Sequence, residues 1–132
     1  LLKGFSTFFL IKEHKNWVNE AYNRLPKKIK KLVDKEHVMV QYAPNYFPDK
    51  DEIGYFVKPN LIEFNRVYWN LLLRRDFFIG SFAHELGHFY AFNLNFIRRR
   101  ILLKKYNSEI LATYLAIRMG LGEEIKIMES LR

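Results

Sequence analysis

The sequence predicts an α+β domain, on three observations. Apolar residues recur at helical spacing near both ends, short β-branched and aromatic runs bounded by turn residues occupy the middle, and an apolar stretch beyond them carries His84-Glu85-Leu86-Gly87-His88. With 132 residues, 49% hydrophobic and 17% aromatic, one domain over 1–132 with a single modest core is expected, and a disordered chain is excluded.

Residues 12–33 read as helical, with Trp17, Val18, Ala21 and Leu25, then Ile29, Leu32 and Val33, at helical spacing. Pro26 either kinks this stretch or opens a second helix at its first turn, which gives an N-terminal helix or kinked helix pair. Val38 to Tyr42 has the β-branched content of a short strand. Residues 43–52 hold two prolines, Asn45 and two aspartates, and read as a loop. Ile53 to Val57 and Leu61 to Phe64 then read as strands joined through Lys58-Pro59-Asn60, so a small, mostly antiparallel sheet of about three strands is expected.

Residues 66–74 carry no clear period. Asp76 is a fair N-cap for a helix that bears the His-Glu-x-x-His motif and runs to about Asn95. Residues 98–106 read as a basic connector. Asn107 and Ser108 cap a last helix, which ends near Gly120 and Gly122.

On a helix, positions i and i+4 are neighbours, so His84 and His88 can both reach one ion at roughly 2.0 to 2.1 Å from each nitrogen. Glu85 is rotated about 100° from His84 and is poorly placed to join them. It is instead a candidate general base, able to accept the proton of an attacking water. The alternative is a pair of satisfied core histidines, since the flanking Ile79, Phe82, Ala83, Leu86, Phe89 and Ala91 favour a buried helix. The chain has no cysteine, so any metal is held by histidine and carboxylate, a set that suits Zn2+.

Two histidines leave such a site one protein ligand short. Glu109 is the best candidate for the third, in the first turn of the last helix, where Ala112 and Ala116 form a small face that allows close approach to Gly87 and Ala91. A plain capping role on the helix dipole is the alternative. Glu63, Asp76, His37, Glu123 and Glu124 are weaker candidates. Tyr55, Tyr90, Tyr106 and Tyr114 are conceivable oxyanion donors, but aromatics are so abundant that none is assigned a catalytic role.

The net charge of +8 is concentrated in Lys27-Lys28 with Lys30-Lys31, in Arg98-Arg99-Arg100 and in Lys104-Lys105. These read as solvated faces, and no nucleic-acid module accompanies them, so no nucleic-acid partner is expected. No apolar run is long enough to be a transmembrane segment and no signal peptide is evident, which leads to the expectation of a cytoplasmic protein.

The motif His84-Glu85-Leu86-Gly87-His88 followed by Asn107-Ser108-Glu109-Ile110-Leu111-Ala112 resembles the gluzincin zinc peptidases. Small size, the preceding hairpin and the Glu-x-x-Ala spacing are most similar to the minigluzincins, minimal soluble relatives of membrane peptidases that process prenylated proteins or sense penicillin. The resemblance covers roughly residues 38–118.

It implies a zinc-dependent metallopeptidase acting on a peptide or protein substrate. His84, His88 and Glu109 would be the zinc ligands and Glu85 the general base and proton shuttle. Leu61, Ile62, Glu63, Phe64 and Asn65 would form an edge strand that pairs with an extended substrate. It further implies that residues 119–132 are a possible latency segment, blocking the cleft within one chain or by exchange in a swapped homodimer; a short helix packed on the back of a monomer is the alternative. Thr113 departs from the pattern, because relatives often carry there an aspartate that orients a ligand imidazole, and a hydroxyl is a weaker acceptor. Two other readings stay open. One is a non-catalytic basic module, with a structural zinc, that binds nucleic acid or a membrane surface; the other is a regulatory repressor-cleaving peptidase.

Overall fold

The computed structural model describes residues 3–44 and 52–131, and the loop expected over 43–52 lies mostly outside the described residues. A short strand β1 (Ser6–Phe8) leads into helices α1 (Lys12–Arg24) and α2 (Lys27–Glu36). Pro26 is the N-cap of α2, so the proline begins a second helix rather than bending one, as its missing N–H permits. Strands β2 (Met39–Tyr42), β3 (Gly54–Val57) and β4 (Leu61–Phe64) follow, then a 3-10 turn (Arg66–Tyr68) that runs into the one-turn helix α3 (Trp69–Leu72).

The four strands lie in the order β1-β2-β4-β3. Only the β3–β4 hairpin is antiparallel; β2 runs parallel to both β1 and β4, so the expected mostly antiparallel three-stranded sheet is corrected to a mixed four-stranded one. The crossover helices α1 and α2 separate β1 from β2, as a parallel pair requires. β1 was missed because three residues that pair with a strand 33 positions away (Ser6 with Met39) leave no local alternation to read.

Helix α4 (Arg75–Phe92) is the axis of the fold. It is apolar on nearly every side, and Phe77, Phe78, Ile79, Phe82, Leu86 and Phe89 are fully buried. One face packs on the sheet, where Phe64 stacks on Phe78 at 4.5 Å and Phe56 meets Phe89 edge-on at 6.0 Å. Its N-cap is Arg74, with Asp76 in the first turn on the favourable end of the helix dipole. It stops at Phe92 rather than near Asn95, because Asn95 caps the next helix α5 (Phe96–Lys105), its side chain accepting from the Arg98 N–H at 2.8 Å. The expected basic connector is therefore mostly helix.

The other face of α4 receives α6 (Ser108–Ala116) and, beyond a distorted turn over Ile117–Leu121, α7 (Gly122–Leu131). The break falls at Gly120, whose φ of +90° is a conformation that side-chain-bearing residues rarely adopt. Gly80 and Gly87, two turns apart on α4, make the contact possible. A Cβ at Gly80 would lie 2.5 Å from the Glu124 carbonyl oxygen, and one at Gly87 would lie 1.9 Å from that of Ala112. The segment 119–132, to its last described residue, is thus part of the core, with Leu121, Ile125 and Met128 buried and Glu124 paired with Arg24 of α1. Burial works to raise the Glu124 pKa, but the hydrogen bonds from Arg24 outweigh it and hold the carboxyl below its ordinary value.

His14 of α1 is fully buried and stacks on Phe78 at 4.2 Å. Its hydrogen bonds determine its tautomer. The Ile11 N–H donates to the Tyr42 hydroxyl at 3.0 Å, that hydroxyl donates to Nδ1 at 2.7 Å, and Nε2–H donates to the Leu72 carbonyl at 2.7 Å. Burial lowers the His14 pKa from 6.5, against the Leu72 carbonyl and Glu13, which raise it. Its neutral form therefore contributes stability that is present above the unfolded value and lost as pH falls through the lowered folded value. Urea midpoints of wild type and His14→Leu should differ at neutral pH and converge below pH 6.5. A gap that stays constant with pH would assign no titration to this group.

Candidate active site

The motif lies on the last three turns of α4, where the surrounding apolar residues fix the helix between sheet and α6. Asn107 caps α6 by accepting from the Ile110 N–H at 2.9 Å, and this start point sets Glu109 in the first turn. Because α6 crosses at Gly87 in direct contact, Glu109 arrives beside both imidazoles. Its carboxylate is 2.7 Å from His84 Nε2 and 3.4 Å from His88 Nε2. One potential ligand atom from each of the three residues lies within 4.8 Å of the other two. Burial would raise the Glu109 pKa, but the histidine hydrogen bonds and charges prevail and lower it.

The weaker third-ligand candidates lie elsewhere. Glu63 accepts from Gln41, Asp76 pairs with Arg75, Glu124 pairs with Arg24, and His37 is the left-handed C-cap of α2. Glu123 is exposed on α7. Two imidazole nitrogens and a carboxylate on a partly open surface suit a zinc ion with room for a further ligand, so the residues present fit the group. Thr113, one turn after Glu109, places its hydroxyl 3.1 Å from His84 Nδ1. Without a metal Nε2–H donates to the Glu109 carboxylate; with zinc bound there, the hydroxyl would accept from Nδ1–H and leave the Nε2 lone pair for the ion, the orienting role that an aspartate serves elsewhere.

The three side chains open onto a cleft of about 850 Å³ between β3, α4, α6 and α7. Glu85 is 6% exposed at its wall. Burial pushes its carboxyl up to about 8, the Glu109 and Glu52 carboxylates add to this, and a backbone hydrogen bond from Phe56 opposes it. Gly54 is what lets β3 pass over this carboxyl: a Cβ there would lie 3.2 Å from Glu85 Cγ and 3.5 Å from Oε2. Sequence reasoning passed over Gly54, although a glycine within a strand signals such close approach. It also passed over Ser81, one turn before His84, whose buried hydroxyl lines the cleft without a hydrogen-bond partner among the described residues.

The expected substrate strand is not at the edge. β4 is paired on both sides, and none of Leu61, Ile62, Glu63, Phe64 and Asn65 lines the cleft. Ile62 and Phe64 are fully buried, and Asn65 is buried with its side chain bonded to the Glu52 carbonyl and the Val67 N–H. The strand between cleft and free edge is β3, since the hairpin folds outward from β4. Of the four tyrosines considered, only Tyr55 reaches the cleft; Tyr90 and Tyr114 line a separate groove and Tyr106 stacks on Tyr114. Met128 and Glu129 of α7 stand at the cleft's rim. No helix among the described residues is long and apolar enough to cross a membrane. Compared with protein-family models, curated proteins and solved structures, the chain matches none.

Proposed function

We infer that this chain is a zinc-dependent metallopeptidase of minigluzincin type, cleaving peptide bonds in an extended substrate. The observation that carries the reading is the convergence of His84, His88 and Glu109 from two helices beside a buried carboxylate in an open cleft. A cleft of this size next to the ligands favours a catalytic over a closed structural site.

Zinc, when bound by these three residues, would acidify water, polarise a scissile carbonyl and, as a neighbouring cation, favour the ionised form of Glu85. Glu85 accepts the proton of the attacking water and passes it to the leaving amine. Thr113 holds the His84 ring in the orientation that presents Nε2. β3, the edge strand that lines the cleft, would lie alongside a peptide bound there. Lys58, just past its end, also lines the cleft and would contact residues on one side of the scissile bond.

The test is metal content together with chelator-sensitive cleavage of a peptide library. Wild type should bind about one zinc per chain, as three ligands with an open position imply, and His84→Ala and His88→Ala should lose most of it along with hydrolysis. Full zinc occupancy in both variants would refute the ligand assignment. Zinc bound with no peptide cleaved would favour a structural site.

A further inference from the structure

Helix α5 has no buried residue. Phe96, Ile97, Ile101 and Leu103 are 62%, 71%, 63% and 44% exposed, an unusual load of large apolar groups for ten residues facing water. At 3.6 residues per turn, Leu103, Phe96, Arg100, Lys104, Ile97 and Ile101 follow one another around roughly half of the helix. Apolar tips and cations thus share one outward face, and the Arg100 guanidinium lies 5.4 Å over the Phe96 ring. On the opposite side Leu102 lines a groove whose rim carries Lys28, Arg98 and Arg118.

We propose that α5 docks this protein on an anionic lipid surface, with Phe96, Ile97 and Ile101 entering the boundary between headgroups and acyl chains. Arg100 and Lys104 would keep their charged ends among the headgroups while their stems lie along the apolar tips. The chemistry selects this occupant. A nucleic acid would meet the cations but leave Ile97 and Ile101 in water. A second copy would bring +8 against +8, cation facing cation. A negatively charged lipid surface accepts both halves of the face. The proposal does not depend on the peptidase reading, because none of these residues belongs to the metal cluster or lines the cleft.

The experiment is co-sedimentation of the full chain with vesicles of phosphatidylcholine alone or mixed with phosphatidylglycerol. Binding is expected to the mixed vesicles, and it should weaken as NaCl is raised. Ile97→Glu with Ile101→Glu should lower it by roughly 10-fold or more, and Arg100→Gln with Lys104→Gln should remove most of its salt dependence. All four positions are exposed, so an unchanged circular dichroism spectrum and melting temperature can be required of both variants. As a second readout, the fluorescence of Ile97→Trp should shift to the blue on mixed vesicles only. Equal sedimentation with and without phosphatidylglycerol, or unaltered binding by the Ile97 and Ile101 double variant, would overturn the proposal. So would retention of duplex DNA or a concentration-dependent dimer in the absence of vesicle binding.

Discussion

Gly87→Ala is expected to destabilise the protein and to lower its zinc affinity by of order 100-fold, the scale on which misplaced metal-site partners act. Helix propensity alone argues the opposite, since glycine inside a helix costs about 1 kcal/mol relative to alanine. The packing decides the sign. A methyl at 87 would sit 1.9 Å from the Ala112 carbonyl oxygen, a backbone atom that no rotamer change can move away. Helix α6 must retreat, at a cost at or above the usual 1–3 kcal/mol, roughly, for overpacking, and it carries Glu109 with it. Urea unfolding and a zinc competition titration read the two consequences separately. A variant that is more stable and binds zinc as wild type does would show that α6 does not cross at this point.

Glu85→Gln is expected to reduce peptide hydrolysis by roughly 100-fold or more while zinc stays bound, because the amide keeps the shape and loses the base. Fold stability should hold or rise. The carboxyl is 6% exposed and its pKa is pushed up to about 8, so its charged form is disfavoured where it sits, and the neutral amide removes that burden. Hydrolysis at the wild-type rate would end the mechanism; loss of zinc would make Glu85 a structural partner of the metal.

The site was far more legible in the sequence than the sheet. Metal ligation needs a few residue types at fixed local spacing, and His84 with His88 supplies that within one turn. Even Glu109, 25 positions after His84, is reachable by reasoning, because Asn107 marks a helix start and Ala112 marks a small face to lie on Gly87. Strand order has no such local mark. β2 pairs with β4 across a gap that includes β3, and so the hairpin that reads correctly from Ile53 to Phe64 still gives no sign of which strand lies outside. The expected edge strand, Leu61 to Asn65, lies inside the sheet for that reason. α5 was misread for another: with apolar and basic residues mingled around its circumference, it has no period to detect. His14 gave no signal at all, because its partners, Tyr42 and Leu72, are 28 and 58 positions away.

The place of β3 at the end of the strand order has a consequence for how this protein keeps company with itself. An edge strand that would accept a peptide accepts other extended segments too, including the same strand of another molecule. What stands against stacking edge to edge is mutual repulsion between molecules that each carry +8. That protection reaches about 8 Å at physiological ionic strength and about 3 Å in molar salt. Its colloidal behaviour is therefore governed by the ions around it, with concentrated salt removing the barrier between a receptive edge and its own kind.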